Sequence, residues 1–552
     1  MAVRRRLILY TLLVVGVLAL LFLTLPITLT PSVRSRLIAA LNERFDSKVD
    51  VAELRVSVLP RVRVAGEGVV LHFKGRTDVP PMIAIKSFSA EASLFGLIGG
   101  PLHLSRVHLT GLEINIPPGG LKMKSGSSGG TQTRDEGEIN DDIDDGAKID
   151  RSKVAVVDIP QPPPPLGPED EKRPQKPSPL IVDEVIAETA ELRIIRRTPG
   201  KEPRVFVIHH LDMKGVGSND PWAFEATLRN PTPPGDIITT GTFGPWAAGE
   251  PSRTPLRGEY NFAQANLGVF KGISGTLESE GKFAGVLERI DVDGRATIPD
   301  FTVTTGGHPM KLATTFHAIV DGTNGNTWLD PVHATFGKTT VEAKGGVFET
   351  QGTRGRTVSL DVTLKPGRIE DVLMLAIKAK QPPMTGDLQL TTKFLLPPGD
   401  EDVMQKLNLD GSFHISRAHF QGGGVQGKIN ELSSRARGEV DETPDNVASD
   451  LRGQYAMKNG SIAFRSITFG VPGARIALAG GYSLRHETLD FKGTARMDAK
   501  LSQMTTGWKS FVLKAVDPLF RRKGDTVIPL TIGGTVDQPK FGLDVKRALT
   551  RK

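Results

Sequence analysis

Val358-Ser359-Leu360-Asp361-Val362-Thr363-Leu364 alternates apolar and polar residues without a break. Successive side chains of a β-strand point to opposite faces, so this stretch reads as a strand with one apolar and one wet face. The same phase recurs on both sides of it. Leu388, Leu390 and Phe394 share a parity, then Leu407, Leu409, Phe413 and Ile415, then Ile476, Leu478, Tyr482 and Leu484. Toward the N-terminus the runs are Leu54, Val56, Val58, Val62 and Val64, then Phe88, Ala90, Ala92 and Leu94, then Leu112, Ile114 and Ile116. Turn signals such as Asp321-Gly322 and Asn459-Gly460 separate them. Helical patterns between strands are rare, which argues against a parallel βαβ sheet. The expected fold is mainly β: a long, curved, mostly antiparallel sheet with a few short amphipathic helices. So many one-faced strands in series must cover their apolar face with their own curl, another sheet or a ligand.

The chain has 552 residues and opens with Arg4-Arg5-Arg6, followed by an uncharged run from Leu7 to Leu25. About twenty apolar residues cross the hydrocarbon core of a bilayer. The run exceeds the apolar core of a cleaved signal peptide, and no A-x-A site follows in Leu25-Pro26-Ile27-Thr28-Leu29. Residues 1–30 therefore read as a single transmembrane anchor through Leu7, Leu13, Val17, Leu21 and Leu25. The arginines place its N-terminus in the cytoplasm and the remainder on the other side.

Residues 31–117 hold a short helix, with Val33, Leu37, Leu41 and Phe45 on one face, and the first strands. Residues 118–180 carry Ser-Gly runs, the acidic cluster Asp141-Asp142-Ile143-Asp144-Asp145 and Pro162-Pro163-Pro164-Pro165. This composition is expected to form a disordered insertion. The main β region spans 181–500. Allowing roughly 12–15 residues per strand and turn, the β regions predict about thirty strands. Ile369, Leu373, Ala376 and Ile377 predict a helix between Pro366 and Pro382. Residues 501–552 hold a longer amphipathic helix and a closing hairpin, Ile528–Ile532 with Phe541–Val545. The helix either caps an open end of the sheet or touches a membrane through Trp508, Phe511 and Leu519.

The chain contains no cysteine, which excludes disulfides, thiol nucleophiles and Cys-type metal sites. Its net charge is +7 and only 6% of its residues are aromatic, with no basic patch interleaved with aromatics. Nucleic acid is not an expected partner. Gly422-Gly423-Gly424-Val425-Gln426-Gly427-Lys428-Ile429 resembles a phosphate-cradling loop, but Ile429 stands where a Mg²⁺-holding hydroxyl is required. It reads as a flexible turn before a helix over Asn430–Arg437. Histidines such as His209 and His210, or His414 and His419, differ by odd numbers and diverge on a strand. Neither H-E-x-x-H nor G-x-S-x-G occurs. No catalytic residue, metal site or cofactor is expected, and the protein reads as a non-enzyme.

The layout resembles the AsmA family of bacterial envelope proteins, related to TamB-like and bridge-like lipid transfer proteins. The resemblance rests on the anchor, the helix Ser32–Arg44 and Val49-Asp50-Val51-Ala52-Glu53-Leu54. It continues in Pro382-Pro383-Met384-Thr385-Gly386-Asp387-Leu388 to Leu432-Ser433-Ser434-Arg435-Ala436. It ends in Ile528-Pro529-Leu530-Thr531-Ile532-Gly533-Gly534-Thr535-Val536-Asp537-Gln538-Pro539. It implies a U-shaped groove in the periplasm, anchored in the inner membrane, that shields phospholipid acyl chains and serves envelope lipid homeostasis. It also implies a partner in the periplasm or at the outer membrane. The expected groove lining is Leu388, Leu390, Phe394, Leu407, Leu409, Phe413, Ile415, Ile476 and Leu478. The alternative is an assembly factor for outer-membrane proteins that pairs a sheet edge with a client strand.

Overall fold

The computed structural model describes residues 30–57, 62–73, 80–98, 100–116, 160–165, 178–195, 202–304, 306–350, 355–421, 423–439, 446–499, 521–522, 525–535 and 538–543. The expected anchor with its five lining residues, and the amphipathic helix with Trp508, Phe511 and Leu519, lie outside the described residues. Among the described residues no helix is long and apolar enough to cross a membrane.

One large open sheet dominates. Of its 25 strands, all but β10 (Ile273–Ser274) and β23 (Arg521–Arg522) form a single ladder, so 23 strands stand side by side. Each strand from β1 (Ser47–Ser57) to β9 (Pro255–Asn266) pairs with the next. The ladder continues through β11 (Thr276–Val286) to β22 (Thr488–Met497), then β24 (Asp525–Thr535) and β25 (Pro539–Leu543). Every pair is antiparallel except β4 (Leu102–Ile116) with β5 (Leu180–Ile194). That exception has a cause in the sequence. The long stretch between these two strands can return the chain along a full strand length, which a hairpin turn cannot.

The ladder is shorter than the expected thirty strands because its members are long, mostly 10–15 residues. The closing hairpin appears as β24 paired with β25. Asn459 and Gly460 both adopt positive φ, as the two-residue turn between β19 (Ser449–Lys458) and β20 (Ser461–Val471) requires.

Helices cover the sheet at three places. The first, α1 (30–45), buries Val33, Leu37 and Ala40 against Val49, Val64, Leu104 and Val182, with Leu97 of the short α2 (Leu94–Ile98). Farther along, α3 (Ile369–Ala376) packs Ile369 with Leu364, Leu388 and Ile415. The last, α5 (Gly423–Arg437), packs Ile429 and Ala436 with Val447, Val471 and Ala474. A one-turn helix, α4 (Val403–Lys406), lies between β17 (Met384–Leu396) and β18 (Asn408–Phe420).

The glycine-rich stretch is not a turn. Gly423, Gly424 and Gly427 lie in the first turns of α5, which begins seven residues before Asn430. Helix propensity is overridden here by side-chain bonding. Gln426 accepts the Phe420 N–H at 2.9 Å and donates to Asn430 Oδ1 and to the Val447 carbonyl, each at 2.9 Å.

Candidate functional site

A single register row crosses the ladder. It begins at Val56, Val64, Ala90 and Val107, and passes Val185, Met213 and Phe224. After the close pair Gly241 and Gly258 it continues through Phe283, Val292, Ala318 and Leu329. It then takes Gly345, Leu360, Phe394, Leu409 and Met457. Ile462, Tyr482, Leu489 and Gly534 complete it. No charged side chain interrupts this row. The neighbouring row on the other face reads Arg63, Glu91, Arg106, Glu184 and Lys214, alternating in sign. One face is thus apolar along the ladder while the other carries cross-strand ion pairs.

The apolar face is not uniformly covered. Under the three helices its residues are buried. Between them, Tyr260, Phe262, Phe283, Val292 and Phe316 are only half-buried and belong to none of the packed clusters. A half-covered apolar face of this extent on a single chain marks an interaction surface.

The sheet also bends back on itself. Val403 N–H donates to the Lys271 carbonyl at 3.0 Å, joining the loop after β9 to the loop after β17. Strands β11 and β17 are six ladder steps apart. At ~4.8 Å per step this is about 29 Å along a flat sheet, and a curled sheet shortens that distance. Phe206 on β6 (Arg204–Val216) and Phe394 on β17 likewise meet around one cavity. Beneath the bridge lies a cavity of about 940 Å³ lined by Phe206, Phe270, Phe301, Phe394, Met404 and Leu407, among others. Arg204, Lys271, Arg356 and Lys406 line it together with Glu349, Asp400 and Glu401.

All nine lining residues named from the sequence fall on this side, in two environments. Leu388, Ile415 and Leu407 are buried, the first two beneath α3. Leu390, Phe394, Leu409, Phe413, Ile476 and Leu478 remain half-buried. Phe394 and Leu407 line the cavity.

Tyrosines on the apolar face feel their setting. Burial pushes the Tyr455 hydroxyl up, against a lowering hydrogen bond with Thr392. Burial also pushes Tyr260 up, against a lowering hydrogen bond with Ser279. Both stay neutral and compatible with apolar neighbours. Three histidines on the wet face pair with carboxylates across strands: His103 with Asp183 at 2.7 Å, His317 with Asp293 at 2.9 Å and His414 with Asp450 at 2.7 Å. Burial raises the Asp450 carboxyl, but hydrogen bonds from His414 and Arg452 outweigh it and hold the group below the usual carboxylate range. No group of three or more metal-ligating side chains occurs among the described residues.

No family model, curated protein or solved structure matches this chain.

The sequence reading missed the cavity. Its lining comes from loops and strands far apart in the chain, and no local periodicity signals the bridge between Lys271 and Val403.

Proposed function

We propose that this is an AsmA-like protein, anchored in a bacterial inner membrane with its sheet in the periplasm, that holds phospholipid acyl chains along a U-shaped apolar groove. The observation that carries this reading is the register row, continuous from Val56 to Gly534 without a charge. Each methylene removed from water gains about 0.8 kcal/mol, so a track of this kind retains long acyl chains while charged headgroups stay wet. The reading assigns no chemistry to the protein. It serves the traffic of envelope lipids by shielding them.

The competing reading, strand pairing with an outer-membrane client, needs a free sheet edge. The edge of β1 is engaged in its first half by α1: Arg34 donates to the Val51 carbonyl at 2.6 Å, and the Val49 N–H donates to Asn42 Oδ1 at 2.7 Å. Among the described residues β25 carries the other edge, and it is five residues long with a proline and a glycine. Short, proline-bearing edges are poor templates for pairing.

Leu478 separates the readings. It lies on the apolar face, half-buried, outside the packed clusters, while its neighbour Ala479 points out to solvent. Leu478→Asp should lower the phospholipid recovered with the purified protein severalfold, because desolvating an unpaired carboxylate costs several kcal/mol. Ala479→Asp should leave it unchanged. Lipid mass spectrometry reads both. A folded Leu478→Asp protein carrying the full complement of lipid would refute the groove.

A further inference from the structure

The wet face of the sheet has an aromatic exception. Trp328 on β14 (Thr327–Phe336) and Phe348 on β15 (Thr339–Glu349) are both buried, although they share the face of Asp291 and His317. Their rings meet edge to face, with centroids 5.6 Å apart.

Against Trp328 lies the chain's own Pro160-Gln161-Pro162-Pro163-Pro164-Pro165, a piece of the 118–180 stretch expected to be disordered that is instead placed on the sheet. The Trp328 indole Nε1–H donates to the Pro160 carbonyl at 2.5 Å. Arg289, on β12 (Arg289–Val303), donates from Nη1 to the Pro163 carbonyl. Its guanidinium is held by Asp291 at 3.1 Å and 3.3 Å, which leaves Nη1 aimed at the segment.

Proline fixes φ near −65° and drives the preceding residue out of the helical region, so this sequence favours the polyproline II conformation. That helix repeats every three residues at ~3.1 Å per residue, so the carbonyls of Pro160 and Pro163 leave the same side about 9 Å apart. Arg289 and Trp328 stand on strands two ladder steps apart, with Arg289 two residues along β12 from Asp291, which shares the row of Trp328. The two side chains reach from this diagonal to carbonyls one repeat apart on the segment.

We propose that the outer face of β12–β15 is a polyproline II binding site, with Trp328 and Arg289 as its two carbonyl-reading donors and residues 160–165 as its resident ligand. A polyproline II segment has no internal hydrogen bonds, so its carbonyls are available, and it loses little conformational freedom on docking. The site clips the connection between the parallel strands β4 and β5 to the back of the sheet. It is independent of what the apolar face carries.

Because the chain lacks cysteine, Gln161→Cys gives one spin-label position on the segment. In the full-length, detergent-solubilised protein the label should report an immobilised segment. Adding Trp328→Phe, which keeps a ring and removes the indole N–H, should release it. In a second protein residues 160–165 are replaced by Gly-Ser repeats, and a peptide of residues 158–167 is titrated by calorimetry. It should bind one to one, and at least tenfold more weakly to the intact chain or when Trp328→Phe is present. An unchanged label spectrum in Trp328→Phe would overturn the proposal, as would peptide binding that ignores the indole.

Discussion

At the scale of single residues, the apolar face is shaped by glycines under aromatic rings. A Cβ at Gly453 would stand 2.6 Å from Phe413 Cε1 and 2.9 Å from the Ser466 carbonyl oxygen. A Cβ at Gly258 would meet Phe283 Cζ at 2.8 Å and the Thr240 carbonyl oxygen at 2.3 Å. In each case a ring from the neighbouring strand lies over the bare backbone. Strands approach closely there, and the sheet can bend. Gly453→Ala should destabilise the protein by roughly 1–3 kcal/mol, because both ring and backbone must move. Thermal or chemical unfolding checks this, and a loss below ~0.5 kcal/mol would show that the close approach carries no strain. The strand phase around these positions was legible because period two survives along a run such as Val358–Leu364. The rings' resting places were not, since Phe413 and Gly453 meet only through the pairing of β18 with β19.

At the scale of elements, α5 shows where local reading fails. Three glycines and a lysine imitate a phosphate loop, yet the helix is fixed by the amides of Gln426 and Asn430 and by Ser433, which donates to the Pro472 carbonyl at 2.8 Å. Gln426→Ala leaves the Phe420 N–H and the Val447 carbonyl without their side-chain partner. It should cost about 1–3 kcal/mol. Lys428 is exposed and should be silent as Lys428→Ala. Equilibrium unfolding of the pair distinguishes a structural helix from a nucleotide site, for which the order of effects on ligand binding would reverse. By contrast, α1 and α3 were legible from their spacing. Val33, Leu37, Leu41 and Phe45 are buried or half-buried, and α3 ends at Ala376, one residue before the extended Ile377. Which strands each helix covers was not legible. That Leu388 and Ile415 belong beneath α3 depends on contacts between distant parts of the chain.

At the scale of the whole molecule, coverage of the apolar face is uneven, and stability should follow it. Strands under α1, α3 and α5 have packed partners, while β9 to β13 (Met310–Val320) present half-buried side chains. Local opening is cheapest where few buried contacts must break. Amide hydrogen exchange on delipidated protein should therefore be fastest in β9–β13 and slowest beneath α1. Reloading phospholipid should slow exchange mainly in β9–β13, since a ligand stabilises the segments it touches. A uniform change, or one confined to helix-covered strands, would place the lipid elsewhere or nowhere on this face.

The open ladder also has a consequence for how such a protein can vary. A closed barrel fixes its strand number through tilt and stagger, so two added strands oblige every other strand to readjust. Here β1 and β25 do not pair with each other, and within the ladder each strand is hydrogen-bonded to the strands beside it. Duplicating or losing one hairpin preserves both the alternation and the direction of the next strand. It changes the span by about 9.6 Å, two steps of ~4.8 Å. Reach is therefore a heritable quantity that can be adjusted in hairpin increments, much as repeat proteins grow by whole units. Ladders of this kind would be expected to differ in the number of hairpins between their helices, while the helix-covered ends stay constant.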